Sequence, residues 1–423
     1  MAVTEDDFTP ATQAELARFV AENAAGERRV LYPEGGRTRL SCGYPPVEPG
    51  VTLSTAALAR VIDYPARDMT VTVEAGMRVE ELATLLREER QQLPIDVPQP
   101  HRATLGGAVA MNACGPRRFG HGTLRDYVIG VSAVDAHGRL FKSGGRVVKN
   151  VAGYDLAKLL VGSMGTLAIV TQLTFKLRPL PEAAAIVWAA LEEFYDLDVV
   201  LERLLTSATR PVLLEVLGSD AAREIAAEAR SELPSGAPVL AVGFEGTARE
   251  VEWQAARVRE ELSAFGPREI GTVEGEPAER LRSAFTEFEL FADAPLTFRA
   301  SLPPSWTIPF LDRAARAGVT VQAHAGNGIV TGHLPDDAVT LEKAESILGQ
   351  LREFAREARG HLTIVDCPPD WKRRLPLFGA PDQSWELMRR VKRSLDPHDL
   401  LNRGRLFRNG DDDRAAGERS RTD

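Results

Sequence analysis

The stretch from His101 to Arg178 makes the strictest backbone demands in this chain. Gly-Gly pairs stand at 106–107 and 144–145, with further glycines at 115, 120, 122, 130, 138, 153, 162 and 165. Glycine alone enters positive φ without steric penalty and lets a backbone N–H approach another group closely. Short apolar runs, Tyr127–Val134 and Leu167–Phe175, interleave with these glycines. The pattern is that of a folded site built from tight turns, although glycines also serve ordinary hairpins.

Before this stretch, residues 10–25 read as an amphipathic helix capped by Thr9 or Thr12. Arg29–Pro33 reads as a strand entering the turn Glu34-Gly35-Gly36-Arg37-Thr38-Arg39-Leu40. That turn lacks both the Lys-Ser/Thr ending of a nucleoside-triphosphate loop and the GxGxxG of a dinucleotide turn. Strands are expected at 51–54 and 69–74, a helix at 79–89, a hairpin at 131–143 and a strand at 167–177. Arg178-Pro-Leu-Pro181 marks a boundary. Beyond it strands and helices alternate with few glycines, which predicts an α+β domain with one helical layer. The expected division is 1–181, 182–408, and a polar, disordered tail over 409–423.

Composition removes several function classes. A formal net charge of −9 argues against nucleic acid. No apolar run reaches about 18 residues, so no direct membrane insertion is expected. The acidic N-terminus lacks a secretory core. Cys42, Cys114 and Cys367 are far apart with no CxxC, as in reduced thiols of a cytoplasmic protein. They offer no cluster for an iron–sulfur centre.

Exposed amides at Gly35-Gly36 and at Leu105-Gly106-Gly107, with the hydroxyls of Thr38 and Thr104, suit a pyrophosphate. Three separated motifs occur in a set order. They are Glu74-Ala-Gly76, Ala103-Thr-Leu-Gly-Gly-Ala-Val-Ala-Met-Asn-Ala-Cys-Gly115, and Gly162-Ser-Met-Gly-Thr-Leu-Ala-Ile169. Together they resemble the FAD-binding domain of the vanillyl-alcohol-oxidase (PCMH) type. Ala113-Cys-Gly-Pro-Arg-Arg118, Lys149-Asn-Val-Ala-Gly-Tyr-Asp-Leu156, Cys367-Pro-Pro-Asp-Trp-Lys-Arg and Leu395-Asp-Pro-His-Asp-Leu-Leu-Asn-Arg-Gly-Arg-Leu406 narrow the likeness. These runs resemble the FAD-binding E subunits of bacterial glycolate oxidases.

The resemblance implies a two-subdomain FAD-binding domain followed by an α+β domain. It implies cofactor contacts at Gly35, Gly36, Arg37, Thr38, Thr104, Gly106, Gly107 and Asn112, with Gly165, Thr166 and Ile169 at the cofactor's other end. Relatives usually carry glycine where Arg37 stands. No histidine lies in 33–39, so the FAD is expected to be non-covalent. The implied reaction is oxidation of a small 2-hydroxy acid. Electrons would leave toward an iron–sulfur subunit, beside a paralogous FAD subunit, with any membrane association coming through a partner. The alternatives are a stand-alone D-2-hydroxyacid dehydrogenase and a non-catalytic FAD-holding subunit.

Catalytic residues are not fixed by sequence; His324, His333 and Lys158 are the candidates, and no metal is expected. Related dehydrogenases carry His-x-Gly-Asp-Gly-Asn and Glu-His-Gly motifs. This chain has His324-Ala-Gly-Asn-Gly-Ile-Val-Thr-Gly-His333, no Glu-His-Gly, and Ala152 where those relatives have threonine. A two-residue turn at Asn327-Gly328 would set His324 opposite Thr331 and His333 opposite Gln322. The two histidines would then form a diagonal pair roughly 7–8 Å apart. Arg117, Arg118, Arg373 and Arg374 could pair with a carboxylate or lie on the surface.

Overall fold

A computed structural model describes residues 4–145, 154–234, 236–291, 294–337 and 340–407. The chain forms two compact units. The first takes residues up to Ala113, Thr123–Pro179 and the chain from Lys372 on; the second takes Cys114–Gly122 and Leu180–Trp371.

The first unit holds two sheets. Thr4–Phe8, Gly50–Ser54 and Val30–Glu34 form a parallel three-stranded sheet with Gly50–Ser54 in the middle. The helix Gln13–Ala25 starts where the Thr12 hydroxyl accepts from the Glu15 amide, and it buries Leu16 and Val20. These side chains share a core with Leu31, Val51, Leu53 and Ile169. The second sheet is antiparallel, in the order Val61–Asp63, Thr70–Glu74, Ile169–Lys176, Val128–Val134, Leu140–Gly144. Its buried face packs on Leu82 and Leu86 of the helix Val79–Glu88 and on Leu105, Ala108 and Val109 of the helix Leu105–Met111. This is the two-subdomain arrangement expected of the glycine-rich half.

The second unit is an eight-stranded antiparallel sheet. Its order is Glu269–Glu274, Ala183–Ala190, Val239–Gly246, Leu213–Leu217, Thr320–His324, Ile329–His333, Thr297–Ser301, His361–Asp366. Helices cover it, as the alternating texture of this half predicts. The fold is α+β.

The chain crosses between units more often than one junction at 181/182 implies. Residues 114–122 go with the second unit because Arg117 forms a buried ion pair with Glu245, at 3.1 Å, and the Gly120 amide donates to the Val212 carbonyl. The C-terminal segment returns to the first unit through Lys372, which donates to the Ser41 carbonyl, and Arg405, which donates to the carbonyls of Leu40, Cys42 and Tyr44. Leu400–Asn402 adds backbone bonds to Leu31. The expected tail at 409–423, Lys149 and Ala152 lie outside the described residues.

Candidate functional site

In the first unit, three glycine turns are drawn together by contacts that side chains would forbid. A Cβ on Gly36 would sit 1.8 Å from the Arg102 carbonyl oxygen, and one on Gly35 would sit 2.1 Å from the Thr104 hydroxyl. The turn after the strand Val30–Glu34 therefore lies directly against 102–104. Among the described residues, the amides of Gly35, Gly36, Arg37 and Thr38 have no hydrogen-bond partner. Unpaired amides on a tight turn are anion donors. Arg37 adopts φ 58, in the left-handed region that favours glycine. Its guanidinium is held by Glu34, with Nε 2.7 Å from the carboxylate, so its charge is already engaged.

The second turn differs from expectation. Leu105-Gly106-Gly107 opens the helix Leu105–Met111 rather than a free concavity. The Leu105 amide donates to Met77, Gly106 to Ala75, and Gly107 to the capping Thr104 hydroxyl. These N–H groups are thus spent inside the protein. The glycines here serve approach: a Cβ on Gly106 would lie 2.8 Å from that of Ala75. Asn112 ends the helix in the left-handed conformation, φ 48.

The third turn carries Gly162, Met164 and Gly165 at φ 80, 53 and 65. Gly162 and Met164 donate to Val109 and Ala110, which fixes the turn beside Asn112. The Thr166 hydroxyl donates to Ser163. Ile169 points into the core shared by the three-stranded sheet, so its side chain is not a wall of the cradle. A gathering of glycine turns, with unpaired amides at 35–38 beside Thr104, fits a pyrophosphate and an extended cofactor.

In the second unit, His324 and His333 separate. The hairpin pairs His324 with Ile329, leaving a four-residue loop closed by Gly328 at φ 69. A Cβ on Gly328 would strike the Leu302 carbonyl at 1.9 Å. The expected two-residue turn is therefore wrong in register by two. His333 pairs with Thr320, which puts the histidines about 14 Å apart rather than in a clasp.

His333 is a core residue. Its Nε2 donates to the Phe288 carbonyl at 2.9 Å, its Nδ1 accepts from the Thr297 hydroxyl at 2.9 Å, and burial lowers its pKa. Both nitrogens are committed, so it is neither a substrate-facing group nor a metal ligand. Among the described residues, no group of three or more His, Cys, Asp or Glu is placed to hold a metal ion.

His324 is different. Its Nδ1 lies 2.7 Å from Glu215, whose side chain is 0% exposed, while the imidazole remains 11% exposed. A carboxylate accepts, so Nδ1 carries a proton; a neutral imidazole held this way presents its lone pair at Nε2, the tautomer of an oriented base. Gln322 holds the other Glu215 oxygen at 2.7 Å. No local sequence signal marks Glu215; the pairing of Leu213–Leu217 with Thr320–His324 brings it there from 109 residues away.

The same sheet face carries Arg299. Gln322 pairs with Thr331, and Thr331 with Arg299, so Arg299 lies two strands and two residues from His324. That is about 12 Å between Cα atoms. Arg299 ion-pairs with Glu289, yet its buried Nε has no hydrogen-bond partner among the described residues.

Lys158 caps a short helix, donating to the Arg125 and Val128 carbonyls, and burial lowers its pKa. Arg117 is spent on Glu245, which also lies 3.1 Å from His121. Burial works to raise the Glu245 pKa, but the His121 hydrogen bond and the charges of Arg117 and Arg282 outweigh it and hold it low.

Comparison with known proteins supports FAD as the cofactor. The FAD binding domain model matches residues 7–144, and that of the FAD linked oxidases' C-terminal domain matches 379–406. The chain is 26% identical to glycolate oxidase subunit GlcD of Bacillus subtilis, over 97% of this chain and 91% of that protein. It is 33% identical to glycolate oxidase subunit GlcE of Escherichia coli, over 38% of this chain and 46% of that one. The likeness therefore reaches glycolate oxidase subunits of both kinds and does not single out the E type. A solved structure of p-cresol methylhydroxylase with substrate bound superposes at TM-score 0.71 and 16% identity, covering 94% of this chain and 88% of that one. That likeness is one of fold. Among the described residues, no helix is long and apolar enough to cross a membrane.

Proposed function

We propose that this flavoprotein, whose cofactor is FAD, is a subunit of a glycolate oxidase-like complex that oxidises a small 2-hydroxy acid to the 2-oxo acid. The observation that carries this reading is His324 held by buried Glu215 on the sheet face that also presents Arg299. Arg299 would bind the substrate carboxylate through charge-assisted bonds. The Nε2 lone pair of His324 would take the proton of the 2-hydroxyl, while Glu215 steadies the imidazolium that forms. Bound FAD supplies the acceptor for the hydride from the substrate carbon.

The amides of Gly35 to Thr38, with the Thr104 hydroxyl, would hold the pyrophosphate. This chain carries no Glu-His-Gly; in this reading the Glu215–His324 pair would take the part of the base. In this reading electrons would leave through an iron–sulfur partner, with a paralogous FAD subunit beside it; Cys42, Cys114 and Cys367 are buried thiols.

The test compares glycolate-dependent dye reduction, per flavin, by the isolated chain and by the chain co-expressed with two such subunits. The reading expects very slow steady-state turnover alone and restoration in the complex. Equal rates would replace it with a stand-alone dehydrogenase.

A further inference from the structure

The turn Gly162–Thr166 is held from behind by the far end of the chain. On the helix Gln383–Leu395, the Lys392 ammonium, 12% exposed, donates to the Thr166 carbonyl at 2.9 Å and the Leu401 carbonyl at 2.9 Å. It also pairs with Asp396 at 2.5 Å and Asp399 at 3.0 Å. Asp396, fully buried, accepts from the Leu400 and Leu401 amides at 2.8 Å each. Asn402 donates from its side chain to the Met164 carbonyl at 2.8 Å, and from its backbone to Leu31 at 2.9 Å.

These two carbonyls belong to peptide groups whose N–H ends are Gly165 and Leu167. In a trans peptide the C=O and the following N–H point in opposite directions. Holding the Met164 and Thr166 oxygens toward Asn402 and Lys392 therefore aims the Gly165 and Leu167 amides away from them. Neither amide has a partner among the described residues. Met164 stands at positive φ, a conformation that persists only when surrounding contacts hold it.

We infer that Lys392, with Asn402, is a positioning residue for the cofactor: it sets the peptide planes of Gly162–Thr166 so that the Gly165 and Leu167 amides donate to FAD. This rests on the reading that the glycine cradle holds FAD. The C-terminal segment would then be part of flavin binding without touching the flavin.

The test uses the full chain stripped of flavin and titrated with FAD. It follows flavin fluorescence and the visible band shape of the bound cofactor, with melting of the flavin-free protein as the measure of folding. Lys392→Met should weaken FAD binding at least tenfold and change the band shape, by more than its loss of flavin-free stability accounts for. Lys392→Arg, which restores the donor, should bind within a few-fold of wild type. Should Lys392→Met not fold, Asn402→Ala carries the same test through the Met164 carbonyl alone. Variants that bind FAD as wild type does, with an unaltered spectrum, would overturn the inference, as would lost affinity that merely tracks lost stability and is not rescued by arginine. A wild-type chain that takes up no FAD would instead remove the cradle reading beneath it.

Discussion

His324 Nδ1 lies 2.7 Å from Glu215, a carboxylate with no exposure to solvent. A buried carboxylate is retained at a cost unless its lone pairs are filled, and here His324 fills one oxygen and Gln322 the other. The pair puts a proton on Nδ1, so that in the neutral imidazole Nε2 is the acceptor.

Glu215→Gln should keep FAD bound and lower kcat for 2-hydroxy acid oxidation, because an amide can reverse the tautomer. His324→Gln should lower it by about 10²–10⁴-fold, the usual worth of a positioned base. Stopped-flow flavin reduction checks both. Wild-type reduction rates in either variant would remove His324 from the chemistry.

Arg299→Met should act on substrate affinity more than on flavin content. Loss of a charge-assisted contact costs about 1.5–3 kcal/mol, so KM should rise roughly 10- to 150-fold. Steady-state kinetics with the assembled complex reads this out. Arg299→Lys should recover only part of the affinity, since the ammonium lacks the planar fork.

Gly36→Ala should purify without flavin, since the new methyl would meet the Arg102 carbonyl at 1.8 Å and one of the two must move. The wild type should purify yellow and release its flavin into the supernatant on acid precipitation. Flavin retained in the pellet would show a covalent link. A yellow Gly36→Ala protein with normal FAD affinity would show that the 34–38 turn does not grip the cofactor.

His333 should make stability depend on pH. Burial lowers its folded pKa below the ordinary value, so in the window beneath about 6.5 the unfolded chain binds the proton more readily. Stability should therefore fall as pH drops through that window and be fully present above it. Urea midpoints measured from pH 7.5 to 5.5 should decline in wild type. His333→Gln should flatten the slope while costing about 1–3 kcal/mol at neutral pH.

The glycine-rich half was largely legible because its demands are local: Gly35, Gly36, Gly162 and Gly165 announce turns through their own lack of a side chain. The helix at 105–111 was hidden by the same glycines, which read as a turn although the Thr104 cap and buried Leu105 make a helix start. Register at 324–333 failed because Asn327-Gly328 suits a two-residue turn, whereas the Leu302 carbonyl packed beside Gly328 belongs to another strand's end. Glu215 carried no signal, since only antiparallel pairing across the second unit gives it His324. The return of Lys372–Arg405 to the first unit was likewise invisible, because the carbonyls it caps at 40–44 and 164–166 lie hundreds of residues earlier.

The most direct test is single-turnover reduction of the FAD-loaded chain by glycolate and D-lactate under anaerobic conditions, followed through the flavin's visible band. The account predicts that a 2-hydroxy acid bleaches the band in wild type, and that His324→Gln, with the same flavin content, leaves it unchanged on that timescale. A band untouched by every small 2-hydroxy acid, in the isolated chain and in the assembled complex alike, would contradict it.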